Sequence, residues 1–327
     1  MSKSFIVFLK NVRMTYLQRR NIKREMKQYL KYCNSYGIAP DRLTKTERDI
    51  LILSHTLEKG LSHKAIKPKF GFQVADQLSK AVNEYKNEKS RDTFIFSLGV
   101  SALKQYRLAN IQSGVPVEEL EGIIIPEGAV DDLSAGAYEI TGEQLFKQSD
   151  SSFPVFIKGR RALRLYDQKS LAIDYDDVVD SVRLAQESPS ACNRQAIHVY
   201  YTDNADKISR ICEVQKGSNG FGENAGGLLV VTSDLRFYTV AEKRLPMFDC
   251  GLFSMSLTYA LYSKQIGTCI LNGSFNQNQD KEVKKILDIK EYEMISTVIL
   301  VDKINDHDVV KIACSPRKDT EEILSRR

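Results

Sequence analysis

Hydrophobic and polar positions alternate in two textures along this chain. Over residues 10–33, Val12, Tyr16, Leu17, Met26, Tyr29 and Leu30 recur at roughly helical spacing between basic residues, which predicts an amphipathic helix. A second helix is expected from Thr44 to about Lys59, because Thr44-Lys-Thr-Glu47 spells a capping box and Gly60 supplies a stop. Residues 70–87 and 91–111 read as two further helices. Residues 112–150 mix Pro116, Pro126 and several glycines, and read as a connection. Beyond residue 155, β-rich runs appear at Ile197–Thr202, Leu228–Ser233, Thr268–Leu271 and Ile295–Val301. Helical patterns separate them at 174–187, 204–214, 249–265 and 279–288. The pattern describes a helical front part, residues 1–150, and a module with a buried sheet, residues 151–327.

Charge sharpens this division. Residues 1–32 hold nine Lys or Arg and one acid, Glu25, for a net +8, while the whole chain carries +5. A near-neutral body therefore bears a basic arm. A solvated or packed charged face is one reading of that arm, and weak peripheral attraction to an anionic membrane surface is another. Nucleic acid is not expected as a partner, because aromatic residues are thinly interleaved and no recognition motif follows.

Composition excludes several classes. The apolar and charged fractions, 42% and 27%, are those of a soluble globular chain of 327 residues. No apolar run approaches the ~20 residues of a membrane-spanning helix, and the run at residues 5–9 is too short for a signal peptide. The six cysteines form no C-x-x-C pair and the four histidines no H-E-x-x-H, so no metal site is expected. Thiols spread so widely fit a reducing cytoplasm.

Nucleophile elbows and Walker loops are absent. Gly217-Ser-Asn-Gly220-Phe-Gly222 has its glycines in the wrong order for a dinucleotide turn and reads as a loop. Two segments carry more. Arg160, Arg161 and Arg164 fall within five residues, just before an expected helix, and guanidinium forks suit phosphate oxygens. The segment Ser188-Pro189-Ser190-Ala191-Cys192-Asn193-Arg194-Gln195 joins a helix to a strand, with small and amide side chains that leave room for a planar ligand. An ordinary surface-charge cluster and an ordinary turn are the alternatives.

Taken together, these segments resemble the FMN-dependent nitroreductase family. Its flavin module opens with an Arg-Arg-Ser-x-Arg-x-Phe-like stretch and continues, about thirty residues later, with Pro-Ser-x-x-Asn-x-Gln. Further similar motifs follow in order: Asp249-Cys-Gly251 opening a long apolar helix, Gly267-Thr-Cys269-Ile-Leu-Asn272-Gly273, and Ser315-Pro316-Arg317-Lys318 near the end. The resemblance covers about residues 155–327. Ala162 departs from the family's Ser, Ala196-Ile197 from its Pro-Trp, and Ser315 from a frequent Lys.

The resemblance implies an α+β fold with a mainly antiparallel central sheet flanked by helices, preceded here by a helical extension. It implies a cytoplasmic homodimer with two FMN sites at the subunit interface. NADH or NADPH would donate hydride and an organic acceptor, a nitro compound or quinone, would receive it by a ping-pong mechanism. The flavin phosphate would lie near Arg160 and Arg317, and Arg164, with Arg161 nearby, at the pyrimidine edge. Pro189, Ser190, Asn193 and Gln195 would belong to the site, Ser190 and Asn193 reaching it from the partner subunit. Asn272 and Gly273 would approach the reactive side of the ring, and Asn219 is a further candidate contact. No catalytic side chain is required, since the cofactor carries the chemistry. The alternatives are other flavin chemistry, or a dimeric flavin scaffold recruited to a membrane-associated assembly. In the front part, His55-Thr-Leu57-Glu58-Lys59-Gly60-Leu61 with Phe70-Gly71 resembles an element of extended, polysaccharide-synthesis-linked members, and implies that this helix end shapes a substrate pocket.

Overall fold

A computed structural model describes residues 3–32, 42–128, 135–166, 168–191, 194–238 and 242–327. Four helices lead: α1 (Lys3–Tyr32), α2 (Arg42–Leu61), α3 (Phe72–Tyr85) and α4 (Thr93–Gln112). Helix α1 starts seven residues before the expected position, and α2 starts two residues before the Thr44 capping box. Glu47 is drawn instead into tertiary contact, accepting a hydrogen bond from the Tyr85 hydroxyl at 2.7 Å. The same hydroxyl accepts the Asp92 N–H at 2.6 Å, and the Asp92 side chain caps α4 by accepting the Ile95 N–H at 3.0 Å.

Helices α2, α3 and α4 share one core, built from Ile50, Leu57, Leu78, Val82, Phe96, Leu103 and Tyr106. Gly99 permits the close approach of α4: a Cβ there would lie 2.6 Å from Val82 Cγ2 and 3.0 Å from Ile50 Cγ2.

The expected connection at 112–150 contains structure that local pattern did not reveal. Strand β1 (Ala137–Thr141) runs into the short helix α5 (Gly142–Phe146) through a capping box on Thr141 and Gln144. After α6 (Phe153–Gly159) and α7 (Tyr175–Ala185), the second half follows the expected order with small boundary shifts. It comprises β2 (Ile197–Thr202), α8 (Ala205–Gln215), β3 (Gly227–Asp234), α9 (Leu245–Ser263), β4 (Gly267–Asn272), α10 (Gln277–Leu287), β5 (Glu293–Asp302), β6 (Val309–Ala313) and α11 (Thr320–Ile323).

Four strands form an antiparallel sheet in the order β2-β3-β5-β4. Its central strands are buried at nearly every position and carry the apolar runs Leu228–Val231 and Val298–Val301, because both faces are covered. Leu228, Val230, Val298 and Leu300 pack with Ile208, Ile211 and Val283 of α8 and α10. Leu229, Val231, Ile299 and Val301 pack with Val178 of α7 and Leu257 and Leu261 of α9. This is an α+β fold with a flanked antiparallel sheet and a helical front part. Strand β1 pairs antiparallel with β6, from Ala137 opposite Ala313 to Thr141 opposite Val309, so one ladder joins the two halves of the chain.

A register shift interrupts the β3–β5 ladder between Val231 and Thr232, whose partners are Thr297 and Ile295. Ser296 is the extra residue of this bulge. Its carbonyl accepts the Gly273 N–H at 3.0 Å. A Cβ on Gly273 would stand 2.5 Å from that oxygen, so the turn after β4 requires glycine.

Candidate functional site

The arginine segment lies between α6 and α7. It leaves the C-terminus of α6 in extended form and runs along edge strand β4. Ala162 bridges Thr268 in parallel, and the Leu163 N–H donates to the Thr268 carbonyl at 3.0 Å. Extension explains the role of each residue, since alternate side chains point to opposite sides. Leu163 and Leu165 are buried with Tyr262, Val310 and Ile312. Ala162 and Tyr166 face the α8–α10 core, and Arg164 lies between them in sequence.

This arrangement opens a cavity of about 430 Å³. Lys158, Arg160, Arg161 and Arg164 line it, together with Cys314, Ser315 and Arg317 from the segment after β6. No Asp or Glu is among the described lining residues. Residues 153 positions or more apart thus bring guanidinium groups together without a neutralising carboxylate. Burial lowers the pKa of Arg160, with Arg161 and Arg317 adding repulsion and Tyr259 opposing it. Arg161 hydrogen-bonds the Lys158 and Arg160 carbonyls, and Arg317 the Ser315 and Pro316 carbonyls. Arg164 Nε is buried with no hydrogen-bond partner among the described residues. A cluster of this kind suits an anion chemically, because converging cations otherwise repel one another.

The described residues of the front part pack against this region without lining the cavity. Lys59 Nζ donates to the Gly217 carbonyl at 3.2 Å, tying α2 to the glycine loop, and its pKa is lowered by burial and then by Arg164. His63 stacks on Tyr166 with ring centroids 3.7 Å apart, and Tyr166 meets Phe221 edge-on at 5.3 Å. Burial pushes the Tyr166 hydroxyl up to about 12, against the opposing effect of Arg164.

Glu58 is only 3% exposed and works at the end of the β1–β6 ladder. The Cys314 N–H donates to the Gly136 carbonyl, extending the pairing by one residue. Glu58 Oε1 then accepts the Gly136 N–H at 3.2 Å and the Ser315 N–H at 3.3 Å. Ser315 holds φ at 44°, a left-handed conformation that costs a non-glycine residue about 1–2 kcal/mol. Lys318 is fixed on the far side of the same segment by Asp92 at 2.5 Å and Glu322 at 3.1 Å. Two carboxylates of the helical front part therefore hold the segment that presents Arg317. Glu58 belongs to the helix end that the sequence motif expects to shape a pocket, whereas Asp92 and Lys318 carry no local signal of their pairing.

The second motif is separate from this cavity within one chain. Pro189, Ser190 and Gln195 lie on the turn between α7 and β2 and do not line it, and Asn193 lies outside the described residues. The turn is firmly built. Ser190 Oγ accepts the Gln195 N–H at 3.0 Å, and Ser188 Oγ donates to Ser256 Oγ at 2.6 Å. Buried Asp249 of α9 accepts the Ala191 N–H at 3.2 Å and the Tyr238 hydroxyl at 2.8 Å. Arg194 spans to Glu242 with two contacts of 2.8 and 3.0 Å. Asp249, the lone acid of an otherwise apolar helix and the first residue of the Asp249-Cys-Gly251 motif, is the anchor of this turn. Asn272 and Gly273 sit at the end of β4, also off the cavity lining, and Asn219 is exposed on its loop.

No protein-family profile matches the chain, and no curated protein matches it either. Solved structures do. The chain is similar over 54% of its length to 98% of a putative nitroreductase in complex with FMN from Exiguobacterium sibiricum, at 15% identity and a TM-score of 0.46. It is similar over 54% to the whole of a nitroreductase family protein from Streptococcus pneumoniae, at 20% identity and a TM-score of 0.43. It is similar over 47% to 88% of an FMN-dependent nitroreductase from Clostridium difficile, at 17% identity and a TM-score of 0.41.

Proposed function

We propose that this protein is an FMN-dependent oxidoreductase that works as a homodimer. The observation that carries the reading is the convergence of Arg160, Arg164 and Arg317 on one cavity free of carboxylates among its described lining residues. These are the positions that the family resemblance implies as flavin contacts. The donor set fits FMN: Arg160 and Arg317 would hold the phosphate, and the unpartnered Nε of Arg164 would reach the pyrimidine edge of the ring. The cavity volume is within the range of small-molecule sites. Bound FMN would supply the redox chemistry, taking hydride from NADH or NADPH and passing reducing equivalents to an organic acceptor such as a nitro compound or quinone. The chain itself binds, orients and neutralises charge. Arg164 and Lys59 concentrate positive charge on one side, which favours an anionic cofactor edge.

An exposed apolar face supports the dimer. Met247 and Phe248 of α9 are 50% and 61% exposed, and Phe153 of α6 is 65% exposed. Phe153 and Phe156 both contact Tyr259 of α9, which shares one helix face with Phe248 through the half-buried Leu252 and Met255. The turn carrying Ser190 hangs from Asp249, next to Met247 and Phe248 in the chain. A second copy seated on this face would bring its own turn toward the first copy's arginines.

The test is a visible spectrum of the purified protein. A yellow protein bleached by NADH or NADPH and recoloured by a quinone supports the reading. A yellow protein inert to both nicotinamides assigns other flavin chemistry. A colourless protein that FMN cannot reconstitute refutes flavin binding.

A further inference from the structure

We propose that α1 docks on the surface of an anionic lipid bilayer. This inference is independent of the flavin reading. Along α1, Phe5, Phe8, Leu9, Val12 and Tyr16 are three and four residues apart and so share one face. All five are between 46% and 63% exposed. Arg13 and Arg20 fall beside the stripe, and Arg19 and Lys23 continue its line toward the C-terminus. These four side chains are exposed as well, and no acid precedes Glu25.

The combination selects the occupant. A second copy of α1 would set one +8 arm against another, with only about −3 on the rest of each chain to offset it. A nucleic acid would satisfy the arginines and gain little from Phe8 or Leu9. A bilayer surface takes both features: rings and Leu9 enter the headgroup boundary while Lys and Arg meet lipid phosphates. No helix among the described residues is long and apolar enough to cross a membrane, so the expected attachment is peripheral.

The 327-residue chain contains no tryptophan, so an introduced one is a clean probe. Phe8→Trp should show blue-shifted, enhanced emission on adding vesicles of phosphatidylcholine with phosphatidylglycerol. Vesicles of phosphatidylcholine alone should leave it unchanged. In co-sedimentation with the mixed vesicles, Arg13→Gln combined with Arg20→Gln should lower partitioning by about 10- to 30-fold at low salt. Phe8→Ser should lower it by roughly 10-fold or more. High salt should weaken binding of the wild type. Circular dichroism of each variant checks the fold, and the substituted side chains are exposed. Unmoved emission, equal pelleting with neutral and anionic vesicles, or salt-insensitive binding would overturn the proposal. So would an apolar-face variant that changes the sedimenting mass without changing vesicle binding, which would assign the stripe to a second copy. Tight RNA binding that survives Phe8→Ser, with no vesicle binding, would overturn it in favour of nucleic acid.

Discussion

Replacing Glu58 tests whether the helical front part builds the anion site or only leans on it. Its carboxylate oxygen accepts two backbone amides, Gly136 N–H at 3.2 Å and Ser315 N–H at 3.3 Å, in a buried position. Glu58→Ala leaves both donors without a partner, and each buried unsatisfied donor costs ~1–3 kcal/mol. The two together come to about 2–6 kcal/mol, a large share of the ~5–15 kcal/mol that holds a domain together. Glu58→Gln keeps an oxygen in place and loses only the charge assistance, about 0.5–1.5 kcal/mol across both bonds. Freed of its anchor, Ser315 can relax from its left-handed φ, and Arg317 is no longer aimed at the cavity. FMN affinity, read by fluorescence quenching, should therefore fall about 10-fold or more in Glu58→Ala and only about 2- to 3-fold in Glu58→Gln. Thermal melts of the FMN-free proteins should show the same order. The opposing possibility has the opposite sign: a carboxylate acting only through its charge would repel a bound phosphate, and Glu58→Gln would then tighten binding. Tighter binding in Glu58→Gln, or unchanged affinity in a folded Glu58→Ala, would refute the positioning argument.

Three other outcomes are expected. Arg317→Ala should weaken FMN binding by about 10-fold, near the low end of the ~1.5–3 kcal/mol for a charge-assisted contact because Arg317 is exposed; an unchanged dissociation constant removes it from the site. Mixing an Asn193→Ala chain with an Arg164→Ala chain should regenerate flavin-binding sites that neither homodimer has, since one hybrid site carries both lesions and the other neither; no regained sites would mean that both residues serve one chain's site. Asp302 is fully enclosed, and burial pushes its carboxyl up to about 7 against the opposing Gly226 N–H bond. The folded state then keeps a proton that the unfolded chain releases near 4, so this group's stabilisation is full below about pH 4 and is lost as pH rises toward 7. Asp302→Asn should remove that decline, of about 1.4 kcal/mol per pH unit at most, in denaturant titrations across this range; parallel wild-type and variant profiles would contradict it.

Local pattern was sufficient for much of the second half. Strands β2, β3, β4 and β5 and helices α7 to α10 lie within a few residues of their expected limits, because each is a short periodic run bounded by its own turn residues. Arg160, Arg164 and Arg317 stand out in the sequence as candidates by residue type and order, and the structure places them on one cavity. Strands β1 and β6 were not legible locally. Five residues such as Ala137–Thr141 acquire strand character only by pairing with a partner more than 160 positions away. The same holds for the roles of Glu58, Asp92 and Asp249. A carboxylate near a helix end or inside an apolar helix can pair locally or remotely, and only the packing of α2, α4 and α9 decides which amide or ammonium it meets. Arg160 and Arg317 likewise became one site because Ala162 and Leu163 align with the edge of β4 while β6 brings back the C-terminal segment. Residue chemistry named the candidates; hydrogen bonding between distant segments selected which of them share a cavity.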